Sequence, residues 1–263
     1  MSVLHFAYKM EINYAQEASR CYFTIKCVPR EDERQRLLGL KIALSPGVDY
    51  ACGQDSFGNQ QIYGCVLQAH QRFVYQAEGE VEILQTDYVE EARPEQRGLF
   101  LTAHGKCVPD EGLRQYYQAI KADLSPGQSR LAVCEAIMHR LHGDFVYQPG
   151  ETQVQTTAGE AWRLGKGVCQ DYAHIYITLL RLAGIPARYV CGLITGEGAS
   201  HAWVEAECGG RWAAFDPTHD CRVWDNYIKL GHGRDAADCA INRGLIWNGG
   251  EQQQKISVTV DKI

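Results

Sequence analysis

The 263-residue sequence predicts an α+β protein: an antiparallel β-sandwich over residues 1–95, then a core of helices packed on an antiparallel sheet over residues 96–263. Three observations predict it. Apolar residues alternate with period two through the first third of the chain. Helical stripes with start and stop signals follow, up to Gly184 and Pro186. The stretch from His201 to Asp216 then reads as a β-hairpin.

In the first part, Phe6-Tyr8-Met10-Ile12, Cys21-Phe23-Ile25-Cys27, Leu38-Leu40-Ile42-Leu44, Ile62-Gly64-Val66 and Phe73-Tyr75 are the alternating runs. Such runs form half-buried strands. Pro46-Gly47 and the segment from Asp55 to Asn59 supply turns, since Gly and Asn tolerate positive φ. Between about Asp87 and Pro109 the pattern weakens and charges appear, which predicts a linker. Gly112–Asp123 and Ser129–Leu141 then read as helices, the second with Leu131, Cys134, Ile137, Met138 and Leu141 on one stripe. Thr157 followed by Glu160 is a capping-box start. Gln252-Gln253-Gln254 is expected to form a turn before a last strand, Ile256-Val258-Val260.

Composition excludes several classes. The net charge is −6 with both signs mixed, so no nucleic-acid partner is expected, because phosphate binding needs a basic face. No stretch approaches the roughly 20 apolar residues of a membrane span, and the N-terminus lacks the pattern of a signal peptide. The eleven cysteines are odd in number and scattered, which predicts reduced thiols and a cytoplasmic protein.

One cysteine has a context that asks for chemistry. From Gly165-Lys166-Gly167 the chain enters a helix that is apolar nearly all round, with Arg181 the one charge after Asp171, and that ends at Gly184 and Pro186. A helix apolar on every side is buried. Cys169 falls in its first turn, where unpaired N–H groups and the macrodipole favour a thiolate and could hold an oxyanion. His174 is close in sequence but lies about 140° around the helix from Cys169, so it reads as a core histidine. Asp171 reads as an acid placed in the first turn.

The base is better sought in Ser200-His201-Ala202-Trp203-Val204-Glu205. If Gly209-Gly210 close a two-residue turn, Cys208 faces Arg211 and Trp203 faces Asp216. His201, Trp203 and Asp216 then share a face, with His201 and Asp216 diagonal neighbours about 7–8 Å apart at the backbone. Alone, Cys169 reads equally as an inert cysteine, His201 as a surface strand residue and Asp216 as a turn acid before Pro217. Together they form a nucleophile, a base and an orienting acid.

The runs Gly167-Val168-Cys169-Gln170-Asp171, Gly184-Ile185-Pro186-Ala187-Arg188-Tyr189, His201-Ala202-Trp203-Val204-Glu205 and Phe215-Asp216-Pro217-Thr218 resemble the bacterial transglutaminase-like proteins. Gly233-Arg234-Asp235, Asp238, Arg243-Gly244 and Gly249 are similar to that group's C-terminal signature, although Ala236-Ala237 replace an expected aromatic. The resemblance implies a papain-like α+β core, with Cys169 as nucleophile, His201 as base and acid, and Asp216 orienting the imidazole. It also implies a protease or amidase acting on peptide or glutamine-type amides, without a cofactor. Tyr147, Gln170, Arg188 and Trp203 are further candidates for oxyanion or substrate contact; Tyr147 reads alternatively as core packing, and Gln170 and Arg188 as support for buried backbone.

Three other readings stand beside this one. Protein cross-linking would use an amine in place of water, but no Asp-x-Asp-x-Asp-Gly calcium loop is present. A binding module could keep the fold without turnover. A metal site is invited by His139 with His142 and by His104 with Cys107, yet no C-x-x-C or H-E-x-x-H pattern accompanies them. The expected partner is a peptide or protein substrate; a homo-oligomer is compatible with the sequence but not indicated.

Overall fold

The computed structural model describes residues 2–263 and holds two main antiparallel sheets with a helical layer. In chain order the elements are β1 (Ser2–Ile25), β2 (Gln35–Ser45), β3 (Tyr50–Gln54), β4 (Gln60–Val66) and β5 (His70–Ile83). Then come α1 (Arg97–Leu101), α2 (Glu111–Asp123), α3 (Arg130–Asp144), β6 (Val146–Tyr147), α4 (Ala158–Leu164), β7 (Lys166–Gly167) and α5 (Cys169–Leu182). The remainder is β8 (Ala187–Ile194), β9 (Gly196–Gly198), β10 (His201–Cys208), β11 (Arg211–Asp216), β12 (Cys221–Arg222), β13 (Tyr227–Gly233), β14 (Asn242–Asn248) and β15 (Gln252–Lys262).

The first sheet is organised by β1. Its early residues pair with β5 and β15, and its late residues with β4 and β14, with an irregularity between Asn13 and Ala18. Alternation drives this: Leu4, Phe6, Tyr8, Met10 and Ile12 are buried while their neighbours are not. Phe23 from the late half lies 5.2 Å from Phe73, which pairs with Ile12 of the early half. The strand thus bends across its own core to make the two layers of the sandwich. The turn expected at Asp55 forms, with Asp55 Oδ1 accepting from the amides of Phe57 and Asn59.

Two expectations change in detail. In β2 a register shift between Leu37 and Gly39 turns Leu38 outward, so Leu37, Leu40, Ile42 and Leu44 face the core. The turn expected at Gln252–Gln254 lies just before it, at Gly249-Gly250, both with positive φ, and the glutamines already belong to β15. That last strand pairs with β1 along its length, so the end of the chain returns to the first sheet. The predicted linker contains α1 and also runs beside β11, where Val89 N donates to Trp212 O.

The second sheet has the order β12-β11-β10-β8-β13. Ala187, Tyr189, Ala202, Val204, Ala206 and Phe215 face the helices, while Val190, Trp203, Trp212 and Ala214 face a separate cluster with Val89 and Phe100. α5 packs in the middle of the helical layer, and every residue from Asp171 to Arg181 is buried. Arg181 does not remain an isolated charge: it donates to the carbonyls of Phe100, Ala187 and Arg234. Gly184, at φ +75°, closes the helix as expected.

Candidate active site

The hairpin forms in the predicted register, with Cys208 opposite Arg211 and Val204 opposite Phe215. His201 therefore opens β10 as Asp216 ends β11, and both are buried. His201 Nε2 donates to Asp216 Oδ2 at 2.7 Å. That bond leaves Nδ1 as the ring nitrogen free to serve a nucleophile.

Cys169 is the first residue of α5, and Val168 precedes it as the cap. The first N–H groups of a helix have no acceptor within it. The loop in front is held from behind, because Asp171 Oδ2 accepts from Val168 N at 2.8 Å and from Thr152 Oγ1 at 2.7 Å. Burial raises the pKa of Asp171. Gly167 is packed so closely against the Asp171 side chain that a Cβ there would overlap it.

Electrostatics tie the three groups together. Burial opposes a charge on His201, but the hydrogen bond to Asp216 and the contact with Cys169 outweigh it and raise the imidazole to about 10. Burial also opposes ionisation of Asp216, and the bonds from His201 and His219 overcome that, holding its carboxyl well below the ordinary range. At neutral pH the arrangement favours an imidazolium between a carboxylate and a sulfur.

Two further residues join this centre. His219 Nδ1 donates to Asp216 Oδ2 at 2.7 Å, and Tyr227 OH donates to the same oxygen at 2.9 Å. Asp216 Oδ1 accepts from the amides of Thr218 and His219. The sequence carried a signal for His219: a turn after Asp216-Pro217 brings residue i+3 back to the carboxylate of residue i. Tyr227 comes from β13, across the sheet, and had no local signal.

The remaining candidates separate. Tyr147 is half exposed in β6, opposite Gly167 of β7, and burial followed by the charge of Cys169 raises its phenol. Gln170 sits beside the nucleophile, its amide donating to Val154 O at 3.3 Å. Trp203 is fully buried and stacks on the His201 ring with centroids 6.3 Å apart, which makes it a support rather than a substrate contact. Arg188 is also corrected: it is fully buried and bonded to Glu205 and Glu90, because its strand position points it into the layer between the sheets. His174 is a core residue, accepting from Ala236 N, and burial lowers it to about 3.

Of the histidines considered for metal, His139 pairs with Asp220, His142 with Pro217 O, and His104 Nδ1 lies 3.5 Å from Arg234 Nη1. Among the described residues, His201, Asp216 and His219 have ligand atoms within 4.8 Å of one another. Those same atoms are joined by hydrogen bonds, His201 Nε2 and His219 Nδ1 both donating to Asp216 Oδ2.

The model of the transglutaminase-like superfamily matches residues 118–217, and that of the bacterial transglutaminase-like N-terminal region matches residues 4–82. An uncharacterized protein of Mycobacterium bovis is 28% identical over 296 residues, covering 97% of this chain and 91% of that relative. Another, from Mycobacterium leprae, is 38% identical over 127 residues, covering 44% of this chain and 45% of its own. The crystal structure of a candidate cysteine protease from Cytophaga hutchinsonii superposes with a TM-score of 0.80 at 22% identity, covering 100% of this chain and 92% of that one. That last likeness is one of fold.

Proposed function

Because this chain belongs to the transglutaminase-like superfamily, we propose that it is a cysteine-nucleophile acyl transferase that hydrolyses peptide or glutamine-type amides through Cys169, His201 and Asp216. The observation that carries this reading is the imidazole of His201, bonded to Asp216 on one side and influenced by Cys169 on the other.

In the first half-reaction the sulfur of Cys169 forms a bond to the substrate carbonyl carbon, and the carbonyl electrons move onto oxygen. The helix-start N–H groups stabilise that oxyanion. The carbonyl reforms as the C–N bond breaks, and the departing amine takes the proton from His201. A thioester remains. Water then gives a proton to His201 and attacks the thioester carbonyl, and the thiolate leaves as the acid is released. Asp216 keeps the ring oriented throughout.

An amine that replaces water would give transamidation from the same thioester. We place the activity in a reducing compartment such as the cytoplasm, in keeping with a free thiol as nucleophile. The test is to incubate wild type and Cys169→Ala with a library of glutamine-containing peptides, with and without a primary amine. The reading expects cleavage or deamidation that depends on Cys169. Equal turnover by Cys169→Ala, or none by either protein, counts against it.

A further inference from the structure

Five donors converge on the carboxylate of Asp216. Oδ2 takes His201 Nε2, His219 Nδ1 and Tyr227 OH, and Oδ1 takes two backbone amides. An ionised carboxylate offers about four lone-pair sites, so the donors on Oδ2 compete for its charge. The rings of His201 and His219 lie 5.2 Å apart. His219 differs from its partner in exposure, with 51% of its side chain open to solvent.

We propose that His219 is a positioning residue of this centre, holding Asp216 in place and dividing the charge of one carboxylate oxygen between two imidazoles. The consequence has a definite sign. Removing the His219 donor leaves more of that charge for His201, which then keeps its proton to higher pH. The sign is the same whether His219 is neutral or protonated, since either form draws on the carboxylate.

The other groups around His201 are accounted for. From α5 comes Cys169, and from β13 Tyr227, whose hydroxyl also touches Cys221 Sγ of β12. Asp220 is turned to His139 of α3, and His142 of α3 to a backbone carbonyl. Tyr227 already donates to Oδ2 beside His219, while Asp220, His139 and His142 are bonded elsewhere.

The inference rests on the acyl-transfer reading for its relevance to catalysis, but its test does not use the sulfur. The ring of His201 is titrated by NMR with isotope-labelled histidine in wild type, His219→Phe, His219→Ala and His219→Asn. In the two variants without a donor, the His201 step should move up by about half a unit to one unit. In His219→Asn, whose amide nitrogen can occupy the place of Nδ1, the step should stay near the wild-type value. A step that is unmoved or lowered in both donor-free variants overturns the proposal. So does an Asn variant that shifts as far as they do. Failure of Cys169 to react would defeat the acyl-transfer reading without altering this result.

Discussion

His201 Nε2 and Asp216 Oδ2 meet at 2.7 Å across the end of a hairpin, both buried, and the bond makes stability depend on pH. The folded imidazole is raised to about 10, against about 6.5 in an unfolded chain. The folded state therefore binds the proton more tightly. Its contribution is complete below about pH 6.5 and is lost as pH rises through about 10. The urea midpoint of wild type should fall over that interval relative to His201→Phe, so the gap between the two proteins narrows. A gap that stays constant or widens contradicts the ion pair.

Gly192 supports the same ring indirectly. A Cβ there would overlap Trp203 and the carbonyl of Ile228. Trp203 stacks on His201, so overpacking at this point displaces the support of the base. Gly192→Ala should cost about 1–3 kcal/mol by urea denaturation. It should also slow Cys169 alkylation. Wild-type stability in this variant would refute the close packing.

Lys229 is held by both carboxylate oxygens of Glu205, at 2.9 and 2.8 Å, and Glu205 also takes Arg188 Nε at 2.6 Å. All three are buried between the layers. Removing one partner leaves uncompensated charge, so Lys229→Met should destabilise the protein by about 3–5 kcal/mol. Chemical denaturation checks this. A neutral effect would mean that Glu205 is satisfied without the lysine.

Thr152 ties the segment before α4 to the start of α5 through Asp171. Thr152→Val keeps the shape and removes the donor from a buried acceptor. The expected loss is about 1–3 kcal/mol. Thermal melts of the variant at matched pH measure it, and an unchanged melt would show that the hydroxyl is dispensable.

The strands of the sandwich and the hairpin register were legible because both rest on period-two alternation and on Gly209-Gly210, which are local signals. The capping box at Thr157 and Glu160 was legible for the same reason. Pairing partners were not: nothing local in Ile256-Val258-Val260 says that it lies against Phe6-Tyr8-Met10. Within the site, a helix start and a shared strand face singled out Cys169, His201 and Asp216, and the hairpin brings the last two together. Trp203 and Arg188 were candidates for substrate contact, and both are buried, because side-chain type does not reveal which layer a strand face meets. Tyr227 reaches Asp216 only through the order of the second sheet.

Exposure and electrostatics make opposite forecasts for thiol reactivity. Cys52 is the exposed cysteine, while Cys169 is only partly accessible. The decisive measurement is limited labelling with iodoacetamide at about pH 6, where ordinary thiols of pKa ~8.5 are almost wholly protonated. Peptide mapping should find Cys169 modified first, and His201→Ala should slow that modification at least about tenfold. Prior labelling of Cys52, with Cys169 untouched or indifferent to His201, would contradict the account.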